Sequence, residues 1–236
     1  MEQLTPEEIR VVGSLAEKQL TTPDNYPLTQ NALIAACNQI SNRQPVVSYD
    51  DNTVRLTLTS LRAKQLARVV HIPGSRAPKH RHVLDETLEL DRGELALVTV
   101  LLLRGPQTVG ELRTRTERMH TFAGLAEVEE TLERLASDRI SPADEPLEPL
   151  VVRMERQPGQ KEARYAHLLG GPVAAEAWPE EAPAPVARSA GSAGRGDRLG
   201  ALEERLAAVE AGLADLRREL GLGADEAGEA GEAEEE

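Results

Sequence analysis

Leu4-Thr5-Pro6-Glu7-Glu8-Ile9 and Leu90-Asp91-Arg92-Gly93-Glu94-Leu95 are one helix-start signal written twice, and their recurrence decides the fold. In each, a short polar residue (Thr5 or Asp91) supplies the N-cap, and a glutamate three positions on (Glu8 or Glu94) closes a capping box. Leu4 with Ile9 and Leu90 with Leu95 add a hydrophobic staple, and Pro6 stands at the first helical position, where its missing N–H has no partner to lose.

Working outward from the first start, Ile9, Val12, Ala16 and Leu20 form a helical stripe. A second helix opens at Leu28-Thr29 with Leu33, Ala36 and Cys37 on one face, and a third follows Asp51-Asn52 with Val54, Leu58 and Leu61 inward. Ala67 to Ile72 and Lys79 to Leu84, separated by a Pro-Gly turn, read as a β-hairpin. From the second start, Leu95 to Leu103 is apolar on every side and must be covered on more than one face. Thr108 with Glu111 makes another capping box, and Leu125, Val128, Leu132 and Leu135 mark a further helix. Leu150 to Arg156 and Ala163 to Leu169 form a second hairpin across Pro158-Gly159. Helix, helix, helix, hairpin thus occurs twice. The pattern predicts an α+β, mainly helical chain with tandem winged-helix (helix-turn-helix) domains at 1–88 and 89–170.

Residues 171–197 are rich in Ala, Pro, Gly, Ser and Glu and are expected to form a disordered linker. Leu199, Leu202, Leu206, Val209, Leu213, Leu216 and Leu220 alternate steps of three and four, which predicts a coiled-coil helix over 198–221. With Leu199 at position a, Arg198 and Arg205 fall at g and Glu203 and Glu210 at e, a pattern that suits a parallel homodimer. Residues 222–236 read as a disordered acidic tail.

The chain has 236 residues and is 40% hydrophobic, with one Trp, one Phe and three Tyr, so its cores must be aliphatic, which favours helices. No apolar run approaches a membrane span and the start is polar, so no signal peptide is expected and a cytoplasmic location is. The single cysteine, Cys37, excludes an internal disulfide framework and reads as a small core residue. The net charge of −13 is unevenly spread: residues 1–170 carry 21 Lys and Arg against 24 Asp and Glu, and residues 171–236 carry 6 against 16. Between Asn52 and His82 stand seven basic residues and no acidic one.

Tyr26-Pro27-Leu28-Thr29-Gln30-Asn31-Ala32-Leu33, Ala36-Cys37-Asn38-Gln39 and Ser41-Asn42-Arg43 resemble the signature of the bacterial YceH family. Gly74-Ser75-Arg76-Ala77-Pro78-Lys79-His80-Arg81-His82, Glu94-Leu95-Ala96-Leu97 and Leu102-Leu103-Arg104-Gly105-Pro106-Gln107-Thr108 extend the likeness over roughly residues 3–170. The resemblance implies a cytoplasmic tandem winged-helix protein without an assigned activity, and it attaches no role to the cluster Asn38 to Arg43.

In a winged helix that reads DNA, the third helix enters the major groove and the hairpin touches phosphate or the minor groove. At about 100° per residue, the inward set of the third helix leaves Asn52, Arg55, Thr59 and Arg62 outward. With Arg68, Arg76, Lys79 and Arg81 on the hairpin, these eight form the expected DNA-binding surface. The plainer alternative is that the cations are solvated or complement acidic residues of the second domain. Leu56 also points outward and is expected to be buried in a domain contact. The corresponding helix of the second half carries Glu127, Glu129, Glu130 and Glu133 against Arg134, which would repel a duplex and suits a protein partner or a solvated face. His71, His80 and His82 fall on paired strands with no Cys, Asp or Glu read as nearby, so phosphate contact or plain surface is expected in place of metal.

No phosphate loop, zinc-ligand pair or nucleophile elbow occurs, so neither catalysis nor a cofactor is expected. Two functions follow as expectations. One is a DNA-binding protein, a transcriptional regulator or nucleoid-associated factor, that binds double-stranded DNA as a homodimer. The other is a non-enzymatic interaction scaffold resembling the segregation and condensation protein B, with a protein partner at the second domain.

Overall fold

Both helix starts close as their residues dictate. The Thr5 hydroxyl accepts from the Glu8 amide at 3.3 Å while the Thr5 amide donates to Glu8 Oε2 at 2.8 Å, and helix α1 spans Pro6–Thr21. Asp91 and Glu94 make the same reciprocal pair at 2.8 and 3.1 Å, opening α5 over Arg92–Arg104. The computed structural model describes residues 2–72, 77–140, 146–156 and 160–172, all within one compact unit of the chain. The expected coiled coil and tail, the linker beyond residue 172, and Arg76 lie outside the described residues.

The fold is mixed helix and sheet. After α1 come strand β1 (Leu28–Thr29), α2 (Gln30–Cys37), α3 (Asp51–Ala63), β2 (Ala67–Val70), β3 (Lys79–His82) and the short α4 (Leu84–Leu88). After α5 come α6 (Val109–Thr116), α7 (Leu125–Ala136), β4 (Arg139–Ile140), β5 (Pro146–Leu147), β6 (Val151–Arg153) and β7 (Tyr165–His167). β3 lies between β1 and β2, antiparallel to both, and β6 pairs antiparallel with β7. The halves share one more detail. Thr29, the N-cap of α2, is extended and belongs to the strand that pairs with β3, while Gln107, just before the N-cap of α6, bridges to Tyr165 of β7.

Three local features depart from the expectation. Thr29 caps α2 as its position suggests, but Leu28 and Thr29 also add a strand to the first sheet. The second hairpin strand ends at His82, and Leu84, expected within it, is fully buried at the start of α4. Strands β4 and β5 form a small antiparallel pair, with Arg139 opposite Leu147 and Ile140 opposite Pro146.

The centre of the molecule is α5, every residue of which from Leu95 to Leu103 is buried. It packs against α1, α6, α7 and β7, so its all-round apolar surface is covered on several sides. α1 lies between α5 and α3 and is itself buried from Arg10 to Glu17. Gly13 permits that approach: a Cβ there would stand 3.1 Å from Leu103 Cδ2 and 3.2 Å from Leu102 Cβ. The halves meet again where the Leu4 amide donates to the Leu169 carbonyl at 2.8 Å.

Candidate nucleic-acid interface

The outward face of α3 is set by what its inward face buries. Asp50 caps the helix by accepting from the Thr53 amide at 2.8 Å, and Val54, Thr57, Leu58 and Leu61 are buried. Asn52, Arg55, Thr59 and Arg62, spaced three and four apart, are therefore exposed on the opposite side. Arg55 Nη2 donates to Asn52 Oδ1 at 2.7 Å, and the Thr59 hydroxyl donates to the Arg55 carbonyl at 3.0 Å. The Arg62 side chain forms no hydrogen bond or ion pair among the described residues. Asp50 and Asp51 stand at the N-terminal end, so the cationic part of the face begins one turn into the helix.

Register fixes the hairpin in the same way. Arg68 lies opposite Arg81 and Val70 opposite Lys79, which puts Arg68, Lys79 and Arg81 on one side of the sheet. Two of these cations are already compensated. Glu86, from α4, pairs with Arg68 at 3.1 Å and with Arg81 through its other oxygen. The stretch Asn52 to His82 lacks an acid only because its counterion arrives four residues later. Lys64, a further member of the basic run, is also engaged: it bonds Glu8 at 2.8 Å and the Gln3 carbonyl at 2.9 Å, closing α3 onto the start of α1. Among the described residues, the uncompensated cations of the expected surface are thus Arg55, Arg62 and Lys79.

The other side of the sheet is core, which corrects the expectation for the histidines. His80 and His82 are buried, because alternation turns even-numbered residues of β3 inward. Burial holds His82 down to about 4, against which Asp85, 3.6 Å from its Nδ1, works only in part. A carboxylate was not expected there, and it comes from α4. His80 is lowered by burial and then by the positive charge of Arg62, which places that guanidinium's field close to the sheet. No group of three metal-ligating side chains occurs among the described residues. Leu56, expected in a domain contact, is 53% exposed. Cys37 is fully buried in the core.

The cluster Asn38 to Arg43 gains a structural account. Arg43, 4% exposed, donates to both carboxylate oxygens of Glu17 and to the carbonyls of Ala36 and Asn42. Asn38 brackets Tyr49, donating to its carbonyl and accepting from its amide, each at 2.8 Å. Arg10, also buried, donates to the carbonyls of Cys37 and Pro45, and the Gln44 amide caps α5 by donating to the Leu103 carbonyl at 2.8 Å. These residues hold the α2–α3 loop against α1 and α5, and so set where α3 begins. Ile40 and Val46 of that loop remain 84% and 53% exposed.

The second half differs in charge. Glu129 and Glu133 of α7 share a cleft of about 600 Å3 with Arg153, Arg156, Lys161 and Tyr165. Its counterpart of the basic face is therefore mixed, with carboxylates on the helix and cations around the hairpin. Arg134 turns away from that cleft, 3.5 Å from Asp91 and 3.4 Å from Glu94 at the start of α5.

Residues 4–160 match a family profile described as a protein of unknown function, DUF480. Relatives named UPF0502 protein include one from Pelobacter propionicus, 50% identical over 89% of this chain and 92% of its own length. Another from Geotalea daltonii is 51% identical over 84% of this chain and 85% of its own, and one from Opitutus terrae is 52% identical over 79% and 78%. On both the profile match and these identities, the chain belongs to the DUF480 family of bacterial UPF0502 proteins.

Proposed function

We propose that this is a tandem winged-helix protein that binds double-stranded DNA through α3 and the hairpin β2–β3, as a transcriptional regulator or nucleoid-associated factor. The observation that carries the reading is the exposed row Asn52, Arg55, Thr59, Arg62 on a helix whose other face is buried, with Lys79 on the adjoining hairpin. The repeated order of elements, the extended segment that joins each hairpin ahead of the second helix, and the resemblance to the YceH family support the winged-helix assignment. Positive side chains on such a surface neutralise phosphates and release counterions, so affinity should fall steeply with salt. The seam expected at 198–221 supports a parallel homodimer, which would present two α3 faces to two half-sites.

The test is a fluorescence-anisotropy titration of the full chain against mixed-sequence duplex at 50 to 300 mM salt. Binding that weakens with salt, and disappears in the double variant Arg55→Glu with Arg62→Glu, supports the reading; no binding at 50 mM salt overturns it.

A second reading has its own observation. Ile40, Val46 and Leu56 are exposed, and α7 is acidic, features that suit a non-enzymatic scaffold with a protein partner. Its signature is a partner retained at stoichiometric level after nuclease treatment and lost in Leu56→Glu.

A further inference from the structure

A second concentration of positive charge lies apart from α3 and the hairpin. A cleft of about 410 Å3 opens where the last turn of α1, the loop at 39–42, the end of α5 and the end of α6 converge. Its wall carries Lys18, Arg104, Arg115 and Arg118, with the carboxamides of Gln39 and Asn42 between them. The carboxylate among the lining residues, Glu17, is met by both terminal nitrogens of the buried Arg43 and lies 3.4 Å from Lys18, so its one charge is shared between two cations.

Helix C-termini attract cations, which is the ordinary reason for basic residues in last turns. Here the terminal carbonyls are met by neutral donors. The Thr21 and Thr22 hydroxyls donate to the Glu17 and Lys18 carbonyls at 2.8 and 3.2 Å, and the Gln44 amide takes the Leu103 carbonyl. Three helix ends together offset about 1.5 elementary charges, and Glu111, 3.8 Å from Arg115, is shared with Arg164 at 2.8 Å. The cleft stays net positive. One side is apolar, formed by Val100, Leu103 and Met119. A cleft of this volume with convergent polar groups and an apolar wall suits a small ligand.

We propose that this cleft binds a small phosphorylated molecule of nucleotide size, its phosphates among Lys18, Arg104, Arg115 and Arg118 and its apolar part against Met119. Arginine recognises phosphate through paired N–H donors, and the two carboxamides can orient the remaining oxygens. The inference does not depend on DNA binding at α3.

The experiment is calorimetric titration of the full chain with tripolyphosphate and with ATP at low salt, in wild type, Arg118→Glu, Arg118→Lys and the double variant Arg55→Glu with Arg62→Glu. Arg118 is exposed and makes no ion pair among the described residues, so its replacement leaves the fold in place. The expected result is binding of both probes, at least tenfold weaker in Arg118→Glu, retained in Arg118→Lys and unchanged in the α3 double variant. No heat with either probe to millimolar concentration, or equal binding by Arg118→Glu, overturns the proposal. Loss of probe binding in the α3 double variant also overturns it, since the phosphate would then be taken at the other surface.

Discussion

Arg43 and Glu17 face each other as a buried fork, Nη1 to Oε1 at 3.0 Å and Nη2 to Oε2 at 2.6 Å. Burial raises the Glu17 carboxyl, and the hydrogen bonds and charge of Arg43 more than offset this, leaving it below its ordinary range. Removing one member strands the other in the interior, which costs about 3–5 kcal/mol. Arg43→Ala should therefore lower the melting temperature sharply, while Glu17→Gln with Arg43→Gln together should recover part of the loss. An Arg43→Ala variant that melts like wild type would show that the pair does not hold the loop.

The compensation of the hairpin by Glu86 gives a gain-of-binding prediction. Glu86→Gln frees Arg68 and Arg81 without moving the backbone, so duplex affinity should rise severalfold at 100 mM salt and the salt slope should steepen by about one to two ions. By contrast Arg68→Ala, which removes a cation already paired, should weaken binding less than Arg62→Ala. The reverse order would place the contact on the hairpin and off α3.

Two histidines set an acid limit. Burial holds His82 and His167 near 4, below the ordinary histidine value of 6.5. Each is neutral in the native chain, so the unfolded chain takes up its proton first as pH falls. Stability is full above about pH 6.5 and is lost between there and about 4, by up to about 3 kcal/mol per group. Urea midpoints measured from pH 7.5 to 4.5 should fall along this window, and His82→Asn should flatten the fall. A midpoint constant across the range would rule it out.

Gly13→Val tests the contact between the two central helices. A Cβ added there would stand within 3.2 Å of Leu102 and Leu103, and branching adds methyl groups to a packed surface. Overpacking of this kind costs about 1–3 kcal/mol. Gly110, where a Cβ would meet nothing within 4 Å, serves as the control: Gly110→Ala should be neutral or stabilising. Both are read from equilibrium denaturation.

How far the sequence reveals this molecule depends on whether a signal is local. The caps at Thr5 and Asp91, the stripe Val54, Leu58, Leu61 and the alternation through Lys79 to His82 are local, and each placed its element. β1 is two residues long and has no alternation of its own, so only β3 beside it makes it a strand. Glu86 was missed because a counterion in space need not lie inside the basic run in sequence. Arg43 gave no local sign of burial either. Its trace was Arg10, Ser14 and Glu17 recurring at helical spacing along α1, a polar stripe that makes sense only once both sides of that helix are known to be covered.

The bond from Leu4 to Leu169 and the fit of α1 against α5 have a mechanical side. A molecule in which Leu4, just ahead of the first helix, is clasped to Leu169, just beyond the last described strand, behaves as a caliper with a fixed gap. The cationic face of α3 and the mixed-charge cleft beside α7 are held at one separation and one angle, so whatever meets both must match that spacing or meet only one.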